Sequence, residues 1–147
     1  MTAKGPTFDA EGVEVLPEGE CLRLLTTQPV GRLVFHEEGL PAVRLVNFVV
    51  ADGTVVFRTA GGQTYDAARR GDVVAFEVDE YDIDTHSGWT VTAVGHAWTV
   101  TDEAEAERIA GLPVRPWAAG ERPHWVRVDI EAISGRRLLP WGRQQRD

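Results

Sequence analysis

The chain has 147 residues, 43 % of them hydrophobic and 26 % charged, which suits one domain with a core of its own. A net charge of −8 disfavours nonspecific attraction to nucleic acid or an anionic membrane surface, and no run approaches the roughly 18 apolar residues of a membrane-spanning helix. The lone Cys21 excludes an intrachain disulfide, and the opening MTAKGPTFDAEGVEV lacks a basic region followed by an apolar stretch, so a soluble cytoplasmic protein is expected.

In LPEGECLRLLTTQ, Pro17 suits a first helical position and Cys21, Leu22 and Leu25 follow at helical spacing, predicting a short amphipathic helix over about 17–27. VGRLVF (30–35), AVRLVNFVV (42–50) and TVVFRTA (54–60) are rich in β-branched and aromatic residues. The links HEEGLP and ADG between them carry turn residues, which predicts an antiparallel meander. In the next stretch, FRTAGGQTYDAARRGD, Thr64 reads as a helix N-cap and Gly71 as a left-handed stop, bounding a helix of under two turns. DVVAFEVDEYDI alternates, with Val74, Phe76 and Val78 on one face and Ala75, Glu77 and Asp79 on the other. GWTVTAVGHAWTV (88–100) alternates too; its Gly95 marks a bulge or barrel corner, and His96, between Val94 and Trp98, reads as a core histidine. Asp102 and Glu105 have capping-box spacing before a helix that Gly111 can end. HWVRVDIEAIS predicts a last strand with Val126, Val128, Ile130 and Ala132 inward.

Six strands and three short helices result, with no internal repeat or linker, in a single domain over 1–147 whose ends, about 1–12 and 141–147, read as mobile. Closing the sheet removes its exposed edges, so the predicted fold is a mainly β, six-stranded antiparallel barrel, with a β-sandwich as the competing arrangement.

Chemistry concentrates where a strand meets the second helix. Gly61 and Gly62 lack Cβ atoms and let a ligand approach the backbone. The helix N-terminus behind them favours an anion, and Arg58 and Thr59 add a guanidinium and a hydroxyl, so the stretch can cradle a phosphate. A helix merely capped by Thr64, beside a solvated Arg58, is the alternative. The P-loop spacing is absent. Asn47 shares a face with Val43, Leu45 and Val49, where a polar amide needs a partner. His36, His86, His96 and His124 are scattered, so no metal site is expected, and Cys21, among leucines, reads as packed. The carboxylates of DEYDID lack EF-hand spacing, and no G-x-S-x-G elbow is present.

Taken in order, VGRLVF, PAVRLVNFVV, TVVFRTAGGQ, DVVAFEVDEYD, GWTVTAVGHA and HWVRVDIEAISGRRL resemble the pyridoxamine 5'-phosphate oxidase-like flavin-binding split barrels, over about residues 16–138. The resemblance implies a six-stranded split β-barrel and a homodimer with two FMN molecules at the subunit interface. It also implies a flavin-dependent oxidoreductase, a flavin or small-molecule reductase served by NAD(P)H or a small organic acceptor. It places Arg44 to Phe48, Asn47 among them, alongside the isoalloxazine, and Arg58, Thr59, Gln63 and Thr64 at the phosphate. Trp89 matches a position that reaches the flavin from the partner subunit, and Arg136 and Arg137 match a basic position near the cofactor. No catalytic residue is assigned.

Two departures matter. Relatives often carry a lysine where this chain has Gln63 and Thr64, which removes one charge contact. The chain ends ISGRRLLPWGRQQRD, without the Arg-x-His element that handles pyridoxamine phosphate, so oxidation of that substrate is not expected. Two alternatives stay open. One is a flavin or haem carrier or sensor without turnover, in which a histidine such as His96 could serve as an axial ligand. The other is a deazaflavin F420-dependent reductase, whose anionic tail would need a basic groove from Arg69, Arg70, Arg115, Arg122 and Arg127.

Overall fold

Two hairpins set the architecture. At Glu38–Gly39 and Asp52–Gly53 both turn residues take positive φ (51° and 80°, 50° and 74°), the left-handed pairs that match the twist of flanking antiparallel strands. They join β3 (Val30–Glu37), β4 (Leu40–Ala51) and β5 (Thr54–Thr59) into the predicted meander. The computed structural model describes residues 5–114, 120 and 122–140, and Arg115 lies outside them. In chain order the remaining elements are β1 (Thr7–Phe8), β2 (Glu14–Val15) and α1 (Glu18–Leu25) before the meander, then α2 (Gln63–Arg70), β6 (Val73–Asp82), β7 (Ser87–Thr99), α3 (Glu103–Ala110), β8 (His124–Asp129) and β9 (Ala132–Leu138). No helix among the described residues is long and apolar enough to cross a membrane.

Six strands close into a ring. β6 pairs with β3, β3 with β4, β4 with β5, β5 with β8, β8 with β7 and β7 with β6, every pair antiparallel. The fold is the six-stranded split barrel, with β9, β2 and β1 added as a flap beside β7. Inside, Leu33, Phe35, Phe57, Phe76, Val78, Val91, Val126 and Val128 are at most 1 % exposed, and Phe48 meets Phe76 edge-on at 4.7 Å.

The HWVRVDIEAIS stretch is two strands, not one. β8 runs with β5 up to Asp129; the chain then bends at Ile130 and Glu131, and β9 pairs with β7, leaving Ala132 exposed instead of inward. Gly95 is the corner that permits this. β7 pairs with β9 as far as Val94 and with β8 from Ala97, and a Cβ on Gly95 would be driven into the carbonyl oxygen of Asp129. His96 is correspondingly not in the core. It lies on the outer face, where Nδ1 meets Glu131 Oε2 at 2.7 Å and the ring stacks on Trp98.

Two of the helices, α1 and α2, pack on the core, and the third lies outside the barrel. α1 buries Cys21, Leu24 and Leu25 against β9, and burial pushes the Cys21 thiol pKa up. Pro17 occupies its cap, one residue ahead of the first helical position. α3, capped by Asp102 accepting from the Glu105 amide, lies outside β5 and β8, where Arg127 pairs with Glu105 at 2.8 Å. α2 buries Ala67 and Ala68 and stops at Gly71 (φ 71°, ψ 32°).

Candidate functional site

The candidate site is the split itself. β4 and β5 pair only from Ala51↔Thr54 to Phe48↔Phe57 and then part. Beyond that point β4 stays with β3 through Asn47, while Arg58 and Thr59 of β5 stay with Trp125 and His124 of β8. Among the described residues the β4 edge from Arg44 to Asn47 therefore has no strand on its β5 side, and it borders a cleft of about 350 Å³. Val30, Val46 and Phe57 supply apolar wall, and Arg44, Asn47, Arg58, Thr59, Gly61, Thr64 and Arg122 supply polar groups.

The approach to α2 differs from the capping read in the sequence. The N-cap is Gly62 and not Thr64; it has φ 81° and ψ −152° and makes no side-chain cap bond, and Thr64 sits inside the helix. The physical reason is the glycine pair. Gly61 (φ 123°) and Gly62 adopt backbone that side chains resist, so the chain turns straight from β5 into helix. Thr59 braces the bend: its hydroxyl accepts from the Gly61 amide (3.3 Å) and donates to the Gly61 carbonyl (3.2 Å). A Cβ on either glycine would meet nothing within 4 Å, so the space before the first-turn amides is open to a ligand.

Charge is concentrated here. Arg44, Arg58 and Arg122 line the cleft without an aspartate or glutamate among the described lining residues, on a chain of net charge −8. Arg44 reaches across to donate to Gln63 Oε1 at 3.3 Å, with Glu37 at 3.7 Å and the Phe35 ring beneath it at 5.7 Å. Arg58 Nε donates to the Arg122 carbonyl at 2.9 Å, and its guanidinium lies 5.0 Å from the centre of the Trp125 ring.

The cleft thus gathers Arg44, Asn47, Arg58, Thr59 and Thr64, with Gln63 joined through Arg44. The face that Asn47 shares with Val43 and Leu45 is not a buried one: those side chains are 53 % and 62 % exposed, and Asn47 Nδ2 donates to the Pro29 carbonyl. Phe48 points into the core and lines a neighbouring depression with Thr26, Thr27, Gln28, Pro29 and Pro113, which shares Asn47 with the cleft. Trp89, Arg136 and Arg137 lie elsewhere on this chain. Trp89 pairs with Glu80 and Arg137 beside a separate depression. Arg136 is 3.3 Å from Asp9, and Arg137 is 3.5 Å from Glu14 and 3.2 Å from Glu20, whose carboxyl is lowered to about 2, chiefly by its bond to Arg23.

Of the proposed F420 groove, Arg122 alone of the described members reaches the cleft. Arg70 pairs with Asp72, Arg127 with Glu105, and Arg69 lies over Tyr65. Arg122 is also a cleft-lining residue that local sequence patterns do not place beside Arg58, because only the β5–β8 register brings the two together across 64 positions.

The model of the family described as pyridoxamine 5'-phosphate oxidase matches residues 17–137. An uncharacterized protein of Mycobacterium tuberculosis is 35 % identical over 135 residues, covering 88 % of each chain. The FAD binding protein from Mycobacterium smegmatis is 34 % identical with a TM-score of 0.69, over 85 % of this chain and 97 % of its own. A conserved protein of unknown function from Corynebacterium diphtheriae is 32 % identical with a TM-score of 0.71, over 86 % and 98 %. With a six-strand ring split at β4 and β5 and a family match spanning α1 to β9, the chain belongs to the pyridoxamine 5'-phosphate oxidase family.

Proposed function

We propose that the chain is a flavin-dependent oxidoreductase that binds FMN in the β4–β5 cleft and acts as a reductase on a flavin or another small organic acceptor, with NAD(P)H as donor. The observation that carries this is the cleft's arrangement: three arginines and no carboxylate among its described lining residues, before the open amide end of α2. A phosphate fits that end, where Arg58 supplies charge and the first-turn amides supply donors. Thr59 holds the glycine bend in shape, and Gln63 steadies Arg44. The β4 edge from Arg44 to Val46, which has parted from β5, suits the rim of a planar ring, which peptide groups can hydrogen-bond in plane. When bound, the flavin supplies hydride acceptance and donation; the chain binds it, orients it and limits access. Among the described residues no histidine, aspartate or glutamate lines the cleft, in keeping with chemistry that belongs to the cofactor.

The proposed unit is a homodimer. Val43 and Leu45 present an apolar face on β4 next to the cleft that a second copy can cover, and the family resemblance assigns the second copy's Trp89, Arg136 and Arg137 to the ring. Oxidation of pyridoxamine phosphate is not proposed. A second reading, flavin binding without turnover, is favoured by the M. smegmatis relative, an FAD binding protein.

The test is an absorption spectrum of freshly purified protein, followed by titration with FMN and FAD and then addition of NADPH with candidate acceptors. Oxidised-flavin bands and acceptor-dependent NADPH consumption are expected. Flavin bands with slow reoxidation that no acceptor accelerates establish the binding module, a Soret band redirects the function to haem, and no flavin uptake overturns the proposal.

A further inference from the structure

We propose that Arg122, in the segment leading into β8, is a phosphate-binding residue of the cleft, and that Arg58 holds it there through its main chain. The inference rests on the flavin reading above and adds a residue to it.

Arg122 lines the cleft from the side opposite Arg44, and the segment that carries it is fixed at successive points. The Arg58 Nε bond takes the Arg122 carbonyl, the Arg58 guanidinium lies over Trp125, and His124 stacks on Tyr65 of α2 at 4.3 Å and 29°. A residue so placed keeps its side chain near the cleft without a strand of its own. Arg23, Arg32, Arg70, Arg127, Arg136 and Arg137 each have a carboxylate within 3.5 Å, as expected where acidic residues outnumber basic ones. Arg58 and Arg122 have none among the described residues, although both line one cleft. Two guanidinium groups without counter-ions among the described residues, at the open end of a helix, favour a ligand that brings its own negative charge.

The geometry also divides the work. Arg58 spends its Nε on the Arg122 carbonyl and one face on Trp125, so it acts partly as a positioning residue; Arg122 spends no side-chain group on the described protein. Removing Arg58 therefore loosens Arg122 as well, and the two losses overlap.

Flavin-fluorescence titration of the wild type, Arg122→Ala, Arg122→Lys, Arg58→Ala and the double variant, each with FMN and with riboflavin, tests this, because riboflavin has the ring but no phosphate. Arg122→Ala should weaken FMN roughly 10- to 100-fold, the worth of a charge-assisted contact, with riboflavin affinity unchanged. Arg122→Lys should recover part of the loss, and the double variant should lose less than the product of the single losses. An unchanged FMN-to-riboflavin ratio in Arg122→Ala overturns the binding role, and strictly multiplicative losses overturn the positioning role. A wild type that binds FMN no better than riboflavin overturns the phosphate cradle itself, and this inference with it.

Discussion

Gly62 stands at φ 81° and ψ −152°, a region that residues with a Cβ enter only under strain. Gly62→Ala should therefore destabilise the chain by about 1–3 kcal/mol although the added methyl touches nothing, and it should weaken flavin binding by turning the α2 amides. Thermal denaturation with and without FMN separates the two effects. Arg58→Ala should reduce FMN affinity by about 1.5–3 kcal/mol, measured by equilibrium dialysis; unchanged retention removes Arg58 from the site. On the outer surface, burial beside Asp79 raises Glu77 from 4.5 to about 7, with Arg32 opposing the shift. The folded state thus holds the proton more tightly than the unfolded chain. That contribution is complete below about pH 4.5 and is lost as pH rises through 7. Glu77→Gln should accordingly raise the melting temperature more at pH 8 than at pH 5, by about 2–4 °C for each kcal/mol gained; an equal change at both pH values would refute it.

Among the elements, α3 and β7 were the more legible. Asp102 and Glu105 announced a capped helix, and the Asp102 side chain does accept from the Glu105 amide. Asp102→Ala should cost about 1 kcal/mol, seen as faster amide exchange over 103–106. The period-2 pattern of β7 and its Gly95 were equally plain, and Gly95→Ala should cost about 3 kcal/mol or more, because neither backbone at that corner can withdraw without breaking a ladder; soluble yield and denaturant midpoint would show it. Legibility failed where a local rule had a rival, either beside it in sequence or across the sheet. Thr64 suits an N-cap, but two glycines ahead of it let the helix begin earlier. HWVRVDIEAIS alternates without interruption, yet its halves pair with β5 and β7, and alternation carries no information about which neighbour a strand takes.

For the whole molecule, the exposed Val43 and Leu45 on β4 frame the dimer prediction. Leu45→Asp should shift the chain from dimer to monomer in size-exclusion chromatography with light scattering and lower FMN affinity together, since the proposed ring site lies at that edge; a wild-type monomer that binds FMN normally would refute the arrangement. By itself the sequence determined the barrel class, the meander, the three helices, and the pairing of Arg58 and Thr59 with a glycine bend, because turn chemistry, capping and side-chain alternation act within a few residues. Only the tertiary structure decided where β4 and β5 part, that His96 faces outward, that Trp89, Arg136 and Arg137 sit away from this chain's own cleft, and that Arg122 joins Arg58 there. Those outcomes depend on strand pairing and ring closure between residues tens of positions apart, an energy summed over the whole sheet that no local stretch encodes.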